Sequence, residues 1–116
     1  MMEIGVAGGI TSSYLLEKFP DSTLYSCDPF IGYPDKPDRD NVSALDIYLE
    51  KMNSYIDKKS LIFTREHSFN YLIELYRTGH KDFFDFIYID GDHSTKAVME
   101  DFLLVLPLVK KGGNCI

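Results

Sequence analysis

The feature that most constrains this chain's fold is a regular alternation between short apolar runs and longer segments of helical periodicity. Runs rich in apolar and β-branched residues predict four strands, at residues 2–7, 23–27, 60–64 and 84–89, with the start of a fifth at 114–116. Apolar residues at helical spacing predict four helices, at residues 11–19, 41–56, 68–77 and 94–109. Strands that alternate with helices indicate a parallel sheet covered on both faces. We therefore predict an α/β fold, a Rossmann-like three-layer αβα sandwich with a parallel sheet.

The helical periodicity also predicts which side chains face the core and where the last helix ends. In the first helix the apolar face consists of Tyr14, Leu15 and Phe19. In the second helix it consists of Val42, Leu45, Leu49, Met52 and Ile56. Residues 110–113 (KKGG) should end the fourth helix, because cations followed by glycine are favoured at a helix C-terminus.

The length of the chain and its net charge disfavour several classes of function. The chain has 116 residues, the size of one domain, and 18 acidic and 12 basic residues give it a net charge of −6. This balance disfavours electrostatic binding to nucleic acid or to an anionic membrane. Cys27 and Cys115 lack the spacing of a metal or redox motif, which favours free thiols in a reducing compartment. Without a membrane-length apolar segment or a signal-peptide pattern, we expect a cytoplasmic protein.

A glycine-rich turn follows the first predicted strand. In parallel sheets ligands bind at the carboxyl ends of the strands, so the residues that follow each strand are the candidates for function. Gly5 and Gly9 lie in the stretch EIGVAGGIT, where glycine lets the backbone approach a ligand and the helix start offers free N–H groups to an anion. Ala7 interrupts the GxGxxG pattern of dinucleotide-binding proteins. The alternative is a tight strand-to-helix turn without a ligand.

An acidic residue follows the second predicted strand. Asp28 comes 23 positions after Gly5. An acid at about this distance from a glycine-rich turn, at the end of the neighbouring strand, can accept hydrogen bonds from the two hydroxyls of a ribose. The alternative is an aspartate that shapes the turn before Pro29. Together with the glycine-rich turn, the ribose role is the favoured interpretation.

Polar side chains also follow the third and fourth predicted strands. Ser68 follows the third strand, where it could contact a base or act as the N-cap of the third helix, which is the favoured interpretation of its side chain. Asp90, Asp92 and His93 follow the fourth strand. Two carboxylates and an imidazole suit a divalent cation, which takes oxygen ligands, or acid–base chemistry by the histidine. The alternative is an Asp-rich helix start capped by Asp92 or Ser94.

These segments together resemble the class I S-adenosylmethionine-dependent methyltransferases. The closest similarity is to metal-dependent O-methyltransferases of the catechol and caffeoyl-CoA type and to the related sugar and macrolide enzymes. Three stretches carry the resemblance, namely EIGVAGGIT at residues 3–11, LYSCDP at 24–29, and DFIYIDGDHS at 85–94 followed by KGG at 111–113. Their order and spacing match that family across nearly the whole chain, as a single domain over residues 1–116.

The resemblance implies a role for each matching residue. Glu3, Gly5, Gly9 and Thr11 would contact or position the methionine part of S-adenosylmethionine, and Asp28 would bind its ribose. The turn that ends at Ser68 would lie near the adenine. Asp90 would border the cofactor and be the first ligand of a divalent cation, with Mg²⁺ expected, and Asp92 is the second metal candidate.

The resemblance also implies the reaction. The cation would lower the pKa of a hydroxyl on a small-molecule substrate, whose oxygen would then attack the sulfonium methyl group, with His93 as a candidate base. In that family the remaining metal ligands follow the fifth strand, and this chain stops at Ile116. We therefore expect mainly the cofactor-binding half of such an enzyme. The alternative is a half-domain that pairs with a second copy of itself along an uncovered fourth strand.

Two other functions compete with this interpretation. An apolar strand ending in Asp-x-Asp resembles the nucleotide-sugar motif of metal-dependent glycosyltransferases, but that assignment leaves the glycine-rich turn and Asp28 unexplained. A non-catalytic module that binds cofactor without transferring a methyl group is the second. The residues that would bind the methyl acceptor are expected partly in the Pro- and Asp-rich segment 30–40.

Overall fold

The computed structural model describes residues 1–31 and 41–116, and in these the predicted alternation of strands and helices is confirmed. The strands are β1 (Met2–Ile4), β2 (Leu24–Cys27), β3 (Leu61–Thr64), β4 (Phe84–Ile89) and β5 (Val109–Cys115). The helices are α1 (Ile10–Lys18), α2 (Asn41–Asp57), α3 (Ser68–Arg77) and α4 (Thr95–Val105). The described chain is therefore an α/β sandwich of the Rossmann-like kind.

The five strands form one parallel sheet in the order β3-β2-β1-β4-β5. The chain first builds outward from β1 to β3, then crosses back beyond β1 to build β4 and β5 on the other side. The direction of building reverses between β1 and β4, and in open parallel sheets the crevice at such a reversal is the usual place for a ligand. The strand order therefore predicts a ligand site at the carboxyl ends of β1 and β4.

Two apolar clusters hold the helices to the two faces of the sheet. One cluster joins α1 and α2 to the sheet through Leu15, Leu16, Tyr48 and Met52 among others. The other joins α3 and α4 to the sheet through side chains that include Met2, Ile4, Tyr71, Leu72, Phe84, Ile87, Val105 and Leu108. Strands β2 and β4 contribute side chains to both clusters, because side chains of one strand point to opposite faces of the sheet.

The predicted core faces of two helices were correct only in part. Leu15 is buried as predicted, but Tyr14 and Phe19 are 61% and 48% exposed, and Leu16 is buried as well. In α2 Met52 is buried as predicted, but Tyr48 rather than Leu49 fills the preceding turn of the core. Short amphipathic helices leave the rotation of the buried face poorly defined, and packing against the sheet decides it.

The end of the last helix was also predicted wrongly. The helix predicted over 94–109 ends at Val105, and the KKGG stretch at 110–113 lies inside β5 instead of terminating the helix. Pro107 explains the difference, because proline lacks the amide that a continuing helix needs. The strand predicted at 114–116 therefore begins earlier, at Val109.

The expected exposed edge on β4 is not present among the described residues, because β5 pairs along it. Phe84 pairs with Val109, and Phe86 pairs with Asn114, so that one residue of β4 between these pairs stands opposite four of β5. The extra residues form a bulge that contains the KKGG stretch. In the part of the chain that the structure describes, no helix is long and apolar enough to cross a membrane.

Candidate functional site

A cleft of about 310 Å³ lies at the carboxyl ends of the strands. Its walls include the end of β1 at Ile4 and Gly5, the end of β2 at Cys27, and the turn after β4 at Gly91. The start of α3 at Ser68 closes another side. The cleft lies within the size range of small-molecule sites, and it adjoins the point where the strand order reverses.

Gly5 allows the ends of β1 and β4 to come together at the edge of this cleft. Its backbone has φ +82°, a conformation that favours glycine, and a Cβ placed there would overlap the backbone carbonyl of Asp90. The amide of Asp90 donates to the carbonyl of Ile4 at 2.7 Å. Gly5 therefore has a packing role as well as the cofactor role that the resemblance implies.

Gly9 allows the glycine-rich turn to pack closely against α2. It is the N-cap of α1 with φ +71°, and a Cβ there would lie 2.9 Å from a ring carbon of Tyr48. The Lys51 ammonium, also on α2, donates to the Gly9 carbonyl at 3.2 Å. Thr11 lies in the first turn of α1, whose N-cap, Gly9, has no side chain to accept from the first-turn amides.

Glu3 lies beneath the glycine-rich turn and is 1% exposed. Its carboxyl accepts a hydrogen bond from the hydroxyl of Ser12, which is fully buried on α1. Burial raises the pKa of Glu3 from 4.5 to about 7; the Ser12 hydrogen bond opposes this rise, and the charges of Asp90 and Asp28 add to it. A carboxyl with this pKa can hold or release a proton near neutral pH, directly under the turn.

Asp28 fixes the glycine-rich turn to the end of β2. One carboxylate oxygen accepts from the amides of Val6 and Ala7, at 2.9 Å and 3.1 Å, and the other accepts from the amide of Phe30 at 2.7 Å. These three bonds occupy most of the carboxylate lone pairs that would otherwise accept hydrogen bonds from the hydroxyls of a ribose. The turn-shaping alternative is therefore realised, and a ribose hydroxyl can add to this arrangement at one remaining acceptor position.

The start of α3 differs from its predicted geometry. His67 is the N-cap, it makes no side-chain cap hydrogen bond, and Ser68 is the first helical residue, so the N-cap assignment of Ser68 was wrong. Ser68 is partly buried and lines the cleft. A residue one step inside the helix directs its hydroxyl away from the first-turn amides and leaves it free to face the cleft or a neighbouring element.

Asp90 and His93 come together in the turn after β4. The Nε2 atom of His93 lies 3.4 Å from a carboxylate oxygen of Asp90, and both side chains are exposed, by 82% and 45%. In neutral imidazole one nitrogen carries the proton, so an Nε2–H turned toward Asp90 would leave Nδ1 as a proton acceptor. The pair therefore suits acid–base chemistry in the turn after β4.

Asp92 differs from Asp90 in the partner of its carboxylate. One of its carboxylate oxygens accepts from the amide of Ser94 at 2.8 Å, and Ser94 is the N-cap of α4, accepting from the amide of Ala97. The helix-start alternative is thus realised for Asp92. Within residues 1–31 and 41–116 no three His, Cys, Asp or Glu side chains converge as a metal centre would require, so the donor set does not support the cation predicted at Asp90 and Asp92.

Sequence reasoning missed two residues that support the turn. Ser12, rather than Thr11, is the partner of Glu3, and Lys51 on α2 holds the Gly9 carbonyl. Helical spacing offered a signal for Ser12, because it shares the buried face with Leu15 and Leu16. Nothing local marks Lys51, since its contact depends on how α2 packs. The acceptor segment predicted at 30–40 falls, from residue 32 onward, outside the described residues.

A larger groove, of about 920 Å³, lies at the opposite edge of the sheet. Its walls include Tyr14 and Phe19 on α1, the start of β2 at Thr23, and the start of β4 at Phe83. This edge holds the amino ends of the strands, and it includes neither the glycine-rich turn nor the turn after β4. The smaller cleft is therefore the candidate site, because it lies at the carboxyl edge of the sheet, where Gly5, Ser68 and Asp92 are among the residues that line it.

Comparison with known proteins gives one match. A family described as a methyltransferase domain matches residues 2–116 of the chain. The curated proteins compared with the chain include none that matches it. The matched range contains the strands and helices described above and the residues that line the cleft.

Proposed function

The chain belongs to this methyltransferase family, and from that premise we propose that it binds S-adenosylmethionine in the 310 Å³ cleft and supports O-methyl transfer to a small-molecule hydroxyl. Methyl transfer is the function class of the family, and S-adenosylmethionine is the cofactor that this class implies. The family match also removes support from the glycosyltransferase alternative.

One observation carries the proposal. The glycine-rich turn, Asp28 and the turn after β4 meet at the reversal of strand order, although they are far apart in the sequence. The first-turn amides of α1 have no intrahelical acceptors and suit the cofactor's carboxylate. Glu3 lies beneath the same turn, where a carboxylate would favour the cofactor's ammonium group.

The reaction is a displacement at carbon. The hydroxyl oxygen of the acceptor forms a bond to the methyl carbon while the bond from that carbon to the sulfonium sulfur breaks, which leaves S-adenosylhomocysteine. The hydroxyl proton passes to Nδ1 of His93, and Asp90, with a carboxylate oxygen 3.4 Å from Nε2, orients the ring. The cleft contributes positioning, which alone lowers the barrier for a two-substrate reaction.

A divalent cation, if the working enzyme uses one, would polarise the acceptor hydroxyl. Asp90 can offer oxygen ligands to it, but the described residues do not complete a metal centre, so no step above depends on a metal. Equal transfer rates with and without a chelator would support the His93 route. Loss of transfer on chelation, with recovery on added Mg²⁺, would support the metal-assisted route.

Calorimetry with S-adenosylmethionine and S-adenosylhomocysteine tests the proposal. Both should bind, and Asp28→Ala should weaken binding by at least about 1.5 kcal/mol, because it releases the turn amides and removes an acceptor for the ribose. Asp21→Asn, at an exposed acid outside the cleft, is the control and should bind as the unmodified chain does. A folded chain that binds neither ligand at high micromolar concentration contradicts the proposal. Binding without transfer of the methyl group to any hydroxyl compound would favour the non-catalytic module.

A further inference from the structure

Lys51 is an exposed cation on α2 that directs its ammonium group at the backbone of the glycine-rich turn. The ammonium donates to the carbonyl of Gly8 at 3.4 Å and to the carbonyl of Gly9 at 3.2 Å. Among residues 1–31 and 41–116, no carboxylate forms an ion pair with it. Lysine is mostly a solvated surface residue, so its contact with two successive carbonyls calls for an explanation in the turn itself.

The two adjacent glycines leave the turn before α1 without side chains of its own to fix it. A Cβ placed on Gly8 would meet nothing within 4 Å, so the space around this residue is open. Glycine also loses more conformational freedom on folding than any other residue. The amide of Gly9 donates to the carbonyl of Val6 at 2.7 Å, which closes one side of the turn. Lys51 adds a link from α2 to both glycine carbonyls.

Tyr48, one helical turn before Lys51, fixes α2 against the same turn. Tyr48 is fully buried, and its ring lies so close to Gly9 that a Cβ there would come within 2.9 Å of a ring carbon. Its hydroxyl lies 3.2 Å from the hydroxyl of Ser26 on β2, which is a hydrogen bond between buried groups. Residues three apart on a helix are neighbours on its surface. The packing of Tyr48 therefore also sets the place from which Lys51 reaches the turn.

The charge of Lys51 suits an anionic group at the start of α1. The first-turn amides of a helix have no intrahelical acceptors and lie at the positive end of its dipole. The described helix α1 has no acidic residue in its first turn that would neutralise this end. The ammonium of Lys51 binds the two residues that precede α1, so it adds a full positive charge beside the same amides.

We infer that Lys51 is a positioning residue of the glycine-rich turn, which holds the Gly8 and Gly9 carbonyls in place and so sets the affinity for the amino-acid part of the cofactor rather than for its adenosine part. A turn that is already fixed does not have to be ordered when the ligand binds, and this lowers the entropy cost of binding. The inference rests on the proposed function, since it assigns the start of α1 to the cofactor's carboxylate.

Two ligands that differ in their amino-acid part test the inference. Methylthioadenosine keeps the adenosine and the sulfur of S-adenosylhomocysteine but lacks its amino and carboxylate groups. Lys51→Met keeps an apolar stem and removes the ammonium. By calorimetry it should weaken the binding of S-adenosylhomocysteine about fivefold or more and change that of methylthioadenosine by less than about twofold. An equal loss for both ligands, or no loss for either, overturns the inference.

Lys51→Arg and Lys58→Met are the matched variants. Arginine keeps a positive charge and several donors, so Lys51→Arg should recover most of the affinity for S-adenosylhomocysteine that Lys51→Met loses. Lys58 is an exposed lysine directly after the same helix, and Lys58→Met should bind both ligands as the unmodified chain does. If Lys58→Met loses as much affinity as Lys51→Met, the affinity follows the net charge of the chain, and the inference fails.

Hydrogen exchange in the absence of ligand separates this inference from the proposed function. Lys51→Met should speed exchange at the amides of Gly9 and Ser13, which donate to the carbonyls of Val6 and Gly9, and leave the amide of Tyr71 on α3 unchanged. This result supports positioning whether or not the cofactor binds, and unchanged exchange at Gly9 and Ser13 contradicts it. Failure of the folded, unmodified chain to bind S-adenosylmethionine or S-adenosylhomocysteine contradicts the proposed function and the affinity part of the inference.

Discussion

At the scale of single residues, the cleft depends on side chains whose first task is structural. Asp28 binds three backbone amides, and Asp92 binds the amide of Ser94. Both were singled out in the sequence because acids after strands favour ligand sites. The residue type alone could not separate the two uses, because the same lone pairs can accept from a ribose hydroxyl or from a backbone amide.

Gly5 offers the sharpest single-residue prediction. Gly5→Ala should lower the free energy of unfolding by about 3 kcal/mol or more, because an alanine at φ +82° is strained and its Cβ would overlap the rigid backbone of Asp90. Gly8→Ala is the matched control in the same turn, where a Cβ would meet nothing within 4 Å, and it should change stability by less than about 1 kcal/mol. Urea unfolding measures both variants. Equal losses would show that the approach of β1 to β4 does not require glycine.

Glu3 predicts a defined dependence of stability on pH. Its pKa in the folded chain is about 7 against an ordinary 4.5, so between these values the unfolded chain has released a proton that the folded chain still holds. Stability should therefore fall as pH rises through this window, by up to about 3 kcal/mol. Glu3→Gln keeps an acceptor for Ser12 and carries no charge, so its advantage over the unmodified chain should grow by about 2 kcal/mol from pH 5 to pH 8.

Urea unfolding at a series of pH values tests this prediction. Glu17→Gln, at an exposed acid on α1, is the control and should follow the unmodified chain at every pH. A constant difference between Glu3→Gln and the unmodified chain across the series would mean that Glu3 titrates at its ordinary pKa.

At the scale of helices and strands, some bounds follow from local sequence signals and others are decided by packing between elements. The bounds of α3 and β4 were predicted correctly, at 68–77 and 84–89, because composition changes sharply at both ends of each. The end of α4 was not, because the KKGG stretch carries a helix-ending pattern but pairs with β4 instead. A strand with a bulge has no simple period in its sequence, and only the partner strand reveals it.

The bulge in β5 predicts a further sensitive glycine. A Cβ on Gly113 would lie 2.9 Å from the carbonyl oxygen of Asp85 and 3.0 Å from that of Lys110. Gly113→Ala should therefore loosen the pairing of β4 with β5 and cost about 1–3 kcal/mol, whereas Lys111→Ala, at an exposed position of the same strand, should cost little. Hydrogen exchange at the amide of Ile89, which donates to the carbonyl of Ile116, reports on that pairing. Unchanged exchange in Gly113→Ala would contradict the described bulge.

At the scale of the whole molecule, the alternating pattern was enough to predict the parallel sheet. It was enough because strands that alternate with helices run parallel, and parallel strands have their carboxyl ends at the same edge of the sheet. The pattern could not predict that the larger of two cavities would lie at the other edge, where α1 leaves Tyr14 and Phe19 exposed. The larger cavity therefore lies at the amino edge of the sheet, whereas the candidate functional residues lie at the carboxyl edge. The site is assigned to the carboxyl edge because of those residues.

The central claim is that the cofactor binds at the carboxyl edge. Titration of the ¹⁵N-labelled chain with S-adenosylhomocysteine, followed by amide chemical shifts, tests it residue by residue. The account predicts saturable shifts at Gly5, Gly9, Asp28, Ser68 and Gly91. Shifts confined to the opposite edge, at Thr23, Asp82 and Phe83, or no shifts with a folded chain at saturating ligand, would contradict it.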